Sequence, residues 1–185
     1  YIYIDMYGDI VNFSFIIFIS LIYALIEIEI EGKNGWMKNL PTPNIVKFGD
    51  KNMTLYHLYM LLFIIIVIIY QNQTKLTIDS LLYSTSNVLL FLFLEDTLWF
   101  IFNPYFTITK YNKKDIWWHA KQPWILGLPM HNYTISIICI VISYITNNIN
   151  IIYSLILSYA FIGFSILIAP CYHILYNKLH NISLK

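Results

Sequence analysis

A chain of 185 residues that is 58% hydrophobic and 11% charged, with a mean hydropathy of +0.63, lies outside the soluble globular range and among polytopic membrane proteins. Its net charge of +1 lacks the basic footprint that nucleic acid requires, so the expected partner is the lipid bilayer and not a nucleic acid. All eleven basic residues are Lys. Cys139 and Cys171 lie in or beside apolar segments without metal-ligand spacing, and read as two buried thiols packing as small hydrophobes.

Taken in order, the first predicted span covers residues 10–30. It begins without a basic region ahead of it, which speaks against a cleaved signal peptide, although a first residue other than Met leaves the completeness of the N-terminus open. Its end alternates apolar residues with Glu27, Glu29 and Glu31. Because only helices and closed barrels cross lipid, this reads as a helix end entering the interface, with Glu27 and Glu31 on one face and Glu29 turned away. A turn rich in Gly and Pro follows, from Gly32 to Pro43, with Trp36 as an interfacial anchor.

The second span, 53–70, carries His57 near its start. A short polar link leads to the third, 81–102, whose length of about 33 Å matches a hydrocarbon core of roughly 30 Å. Asn103-Pro104 ends it. The long connection that follows holds Trp117, Trp118, His119 and Trp124, and is expected to form a short helix or loop in the membrane interface. The fourth and fifth runs, 133–147 and 151–169, are separated by a tight link, and Pro170 is expected to break the last one before a tail with His173 and His180. The expectation is therefore all-α: a single-domain polytopic helical bundle of about five transmembrane helices, with an interfacial segment between the third and fourth.

Ten of the eleven lysines fall on one side of this layout and Lys75 alone on the other. The positive-inside rule then places the N-terminus outside and the C-terminus in the cytoplasm. A re-entrant pair made of the fourth and fifth runs would change the tail assignment.

The third span contains the chain's most informative residues, Glu95 and Asp96. A carboxylate at that depth costs about 2.5–3.5 kcal/mol on insertion scales, so it faces a partner, a polar cavity or a cation. The layout brings candidate partners to the same end: Glu31 from the first span, His57 from the second, His119 and His131 from the long connection. Glu95, Asp96 and His119 are the candidate catalytic residues, acting as base, ligand or partner. Glu31, Trp36, His57, Trp99, Asn103 and His131 are candidate binding residues; Trp99 and Asn103 share a helical face with the acids.

Carboxylate and imidazole together would suit a divalent metal or general acid–base chemistry, though no HxxxH, HExxH or ExxH spacing is present. Three readings stay open: a cytoplasmic-side site for a cation or lipid headgroup, enzymatic or not; an accessory or scaffold subunit whose acids lock helices; and a small proton- or cation-coupled transporter. The last needs a polar path to the outer side, for which the third span offers Ser84, Thr85, Ser86 and Asn87. These four could equally bond between helices. A homo-oligomer or a partner in a membrane complex is compatible with any of the three.

Two blocks, Glu31-Gly32-Lys33-Asn34-Gly35-Trp36 with Asn39-Leu40-Pro41-Thr42, and Glu95-Asp96-Thr97-Leu98-Trp99-Phe100 with Asn103-Pro104, resemble an uncharacterised group of small prokaryotic integral membrane proteins. The resemblance covers about a third of the chain and implies membrane integration without implying an activity. That group carries Trp-Arg after the Pro-Thr pair, where this chain has Pro43-Asn44, so a role for that arginine does not transfer.

Overall fold

The computed structural model describes residues 6–33, 35, 47–48, 51–52, 54–72, 77–116 and 121–181. The fold is all-α, with five helices among the described residues: α1 (Met6–Glu31), α2 (Leu55–Asn72), α3 (Ile78–Phe102), α4 (Met130–Thr146) and α5 (Asn150–Leu179). Among the described residues of the connections lie two small hairpins, β1–β2 (Lys47–Phe48 with Lys51–Asn52) and β3–β4 (Trp124–Ile125 with Leu128–Pro129), and a 3₁₀ turn at Ile108–Lys110.

Three helices, α1, α3 and α5, are long and apolar enough to cross a membrane. Of the five spans expected, α2 and α4 are the shorter apolar helices. At 18 and 17 residues they reach about 27 and 26 Å, just under the roughly 30 Å of a hydrocarbon core.

α3 is the centre of the bundle and packs against all four other helices. Its start is fixed by a reciprocal cap: Thr77 Oγ1 accepts from the Ser80 N–H at 3.2 Å, and Ser80 Oγ accepts from the Thr77 N–H at 3.1 Å. Contacts along its length set the direction of its neighbours. Asn12 meets Tyr83, Tyr23 meets Phe91 and Gly32 meets Asn103, so α1 runs parallel to α3. Phe93 meets Tyr159 and Phe102 meets Tyr172, so α5 is parallel as well. The start of α2 touches the end of α1, and the start of α4 lies beside Asp96, which makes both antiparallel to α3. The ends of α1, α3 and α5 therefore gather with the starts of α2 and α4 at one end of the bundle.

Two expectations are corrected. Helix α5 does not stop before Pro170 but runs through it to Leu179. The proline removes one N–H from the ladder, a loss that helices packed in membranes tolerate because the freed carbonyl finds other partners. His173 is thus a helical residue and not part of a tail. Cys139 is buried, but Cys171 is exposed on α5, since the face carrying it turns away from α3. The fourth and fifth runs form two antiparallel helices joined by Asn147, which takes the left-handed conformation (φ +50°) while the Asn148 N–H returns to the Ser143 carbonyl at 3.0 Å.

Candidate functional site

Adjacent residues on a helix point about 100° apart, and Glu95 and Asp96 accordingly face different neighbours. Glu95 turns towards α1. Its carboxyl faces that of Glu27, which is 7% exposed and lies within hydrogen-bonding reach of the Tyr23 hydroxyl. One turn on, Glu31 is equally buried, and its Oε1 lies 3.3 Å from His57 Nε2. Thr54 orients that ring: its Oγ1 is 2.7 Å from His57 Nδ1 and accepts from the His57 N–H at 3.2 Å. With Thr54 donating to Nδ1, the ring presents Nε2–H to the carboxylate. The Tyr56 hydroxyl is also buried beside these carboxyls and meets no hydrogen-bond partner among the described residues.

Asp96 turns towards α4. Its Oδ2 is 3.4 Å from His131 Nε2, and His131 Nδ1 is 3.1 Å from Gln122 Oε1. The His131 N–H donates to the same amide oxygen at 3.2 Å, which fixes how the Gln122 amide is turned. Behind this pair, Tyr111 accepts from Asn132 Nδ2 at 3.3 Å. Burial pushes the Tyr111 hydroxyl well above its ordinary pKa, and the negative charge of Asp96 adds to the effect.

The candidate residues are therefore divided between two clusters on different sides of α3. Glu31, His57 and Glu95 stand together. Asp96 and His131 form the second group. Of the remaining candidates, Trp99 packs edge-on against Phe100 and tilted against Phe106, each at 4.9 Å, and Asn103 donates to the Gly32 carbonyl at 3.1 Å while accepting from the Tyr105 N–H at 3.0 Å. Asn103 thereby ties the end of α1 to the end of α3. His119 and Trp36 lie outside the described residues, and the imidazole at Asp96 is that of His131.

Sequence reasoning gave too little weight to Glu27, Tyr23 and Tyr56. Spacing carried part of the signal, because Tyr23, Glu27 and Glu31 recur every four residues on one face of α1. Glu29, on the opposite face, pairs with His180 at 3.2 Å.

No three His, Cys, Asp or Glu side chains among the described residues stand together as a metal ion would need. The divalent-metal reading therefore gains nothing from either cluster. Comparison with protein-family models, with curated proteins and with solved structures finds no match for the chain.

Proposed function

We propose that the protein is an integral membrane protein whose Glu27–Glu95 pair, with Glu31, His57, Tyr23 and Tyr56 around it, binds and releases a proton. Three apolar helices long enough to cross a membrane support the setting. One observation carries the site: two buried carboxyl groups, Glu27 of α1 and Glu95 of the parallel α3, face each other within the bundle, placed to share a hydrogen bond. Carboxylates only accept hydrogen bonds, so such a bond exists only when a proton lies between them. The pair is thereby a holder for a single proton, and the His57–Glu31 pair one turn away provides a group of suitable chemistry to exchange it with.

The test is infrared difference spectroscopy on the purified protein in lipid. A carbonyl stretch of a protonated carboxylic acid is expected, absent in Glu95→Gln and retained in Asp96→Asn. Its absence from the unsubstituted protein would end this reading.

A structural role is the second reading, favoured by the fact that Glu31 and Asp96 each meet an imidazole from another helix. In that case Glu95→Gln would change assembly or yield without touching any proton signal.

A further inference from the structure

On the opposite half of the bundle, the four small polar residues of α3 do not behave alike. Thr85 and Ser86 bond back to their own helix, to the Leu81 and Tyr83 carbonyls at 2.8 and 2.7 Å. Ser84 and Asn87 do not follow them. Both are almost wholly buried, at 2% and 3% exposure, and neither Ser84 Oγ nor Asn87 Nδ2 meets a hydrogen-bond partner among the described residues. A buried polar atom left unbonded costs about 1–3 kcal/mol, so residues placed to glue helices together would be expected to bond across them. Among the described residues, these two spend their donors on no protein group. Buried polar atoms without protein partners are the ones that ordered water satisfies.

Their position gives this a direction. Ser84, Asn87 and Phe91 precede Glu95 by eleven, eight and four residues, which sets them within about 80° of it around the helix. This face meets α1: the Phe91 ring packs edge-on against Tyr23 at 5.4 Å, and beyond it Asn12 Nδ2 donates to the Tyr83 hydroxyl at 2.9 Å. Asn12 Oδ1 is a third buried polar atom without a partner among the described residues. The polar seam thus starts at Asn12 and Tyr83, passes Ser84 and Asn87, and meets the Tyr23–Phe91 ring pair. The Tyr23 hydroxyl on the far side of those rings lies within hydrogen-bonding reach of Glu27.

We infer that the α1–α3 seam is a hydrated access route that carries protons from the far end of the bundle to the Glu27–Glu95 pair, with the Tyr23–Phe91 rings as its constriction. The inference rests on the proton-binding reading of that pair and extends it to movement across the membrane. A proton enters through water held by Ser84 and Asn87 and joins the carboxyl pair. The proton it displaces leaves past Glu31 and His57 at the other end. One proton enters and one leaves, so no further reactant is needed.

The experiment uses the full chain reconstituted in liposomes that contain a pH-sensitive dye, with a potassium gradient and valinomycin to drive proton entry. Flux above that of protein-free vesicles is expected. Ser84→Ala and Asn87→Leu should each lower it several-fold, Asn87→Thr should recover it, and Glu95→Gln should abolish it. Thr85→Val, on an exposed position bonded to its own helix, should leave it unchanged. Size-exclusion profiles identify any variant that fails to fold, and Ser84→Ala removes only one oxygen, so it keeps the test decisive if Asn87→Leu is lost.

Flux indifferent to both seam substitutions overturns the route. So does the absence of flux from a protein whose infrared spectrum still shows the Glu95-dependent acid band, and that result leaves proton binding standing. If the band itself is missing, it is the underlying reading that fails.

Discussion

Gly32 closes α1 with φ at +53°, and its N–H bonds to the Ile28 carbonyl at 2.9 Å while its carbonyl accepts from Asn103. None of the described residues lies within 4 Å of where a Cβ would stand, so a substitution there tests backbone strain and not crowding. Gly32→Ala should therefore destabilise the protein by about 1–2 kcal/mol, the cost of a left-handed conformation for a residue with a Cβ, read by denaturant unfolding in detergent. A loss well below that would mean that the turn relaxes. Tyr111 makes a second prediction at this scale. Its raised pKa stabilises the fold below the unfolded value near 10, and that contribution is lost as pH rises through the folded value. Between the two, stability should fall by about 1.4 kcal/mol per pH unit for this group, and Tyr111→Phe should flatten the alkaline limb of a stability profile. An unchanged slope would remove Tyr111 from the account.

Among the elements, the end of α3 shows how a helix terminus inside a bundle is satisfied. Asn103-Pro104 stops the ladder, and the Tyr105 N–H that would have reached the Ile101 carbonyl goes to Asn103 Oδ1 instead. His173 of α5 fills the gap: its Nε2 lies 3.0 Å from the Ile101 oxygen, which requires the tautomer with the proton on Nε2. Position 173 can do this only because α5 continues through Pro170. His173→Ala is expected to cost about 1–2 kcal/mol in the same unfolding measurement, with His173→Gln recovering part of it through its amide donor. Equal losses for the two variants would point to packing against Tyr172 instead of the hydrogen bond.

For the molecule as a whole, the alternating directions of the five helices place residues 33, 113 and 181 at one end and residues 77 and 147 at the other. In a background of Cys139→Ala and Cys171→Ala, single cysteines at Lys33, Lys113 and Asn181 should react together with an impermeant thiol reagent from one side of the membrane, and those at Thr77 and Asn147 from the other. Labelling of Thr77→Cys from the same side as Lys33→Cys would mean that the shorter α2 does not cross. The same pattern, obtained in oriented vesicles, reports which end faces the cytoplasm.

Much of this architecture was legible in the chain itself. The lengths of apolar runs, the Gly32 turn, the Asn103-Pro104 stop and the depth of Glu95 and Asp96 are properties of local sequence, because bilayer thickness and backbone hydrogen bonding act on each segment separately. The course of α5 through Pro170 was not legible, since whether a proline ends or merely interrupts a helix depends on what packs beside it.

Nor could the sequence divide the two acids. It indicated that charge lay inside a segment long and apolar enough to cross a membrane, and that carboxylates and imidazoles would meet at one end of it. Only the tertiary structure decided that Glu95 joins Glu27 on α1 while Asp96 joins His131 on α4, and that Ser84 and Asn87 share the Glu95 side. The reason is geometric: a helix sets side chains about 100° apart, but which neighbour waits at each angle is fixed by how five helices pack, and no single segment contains that information.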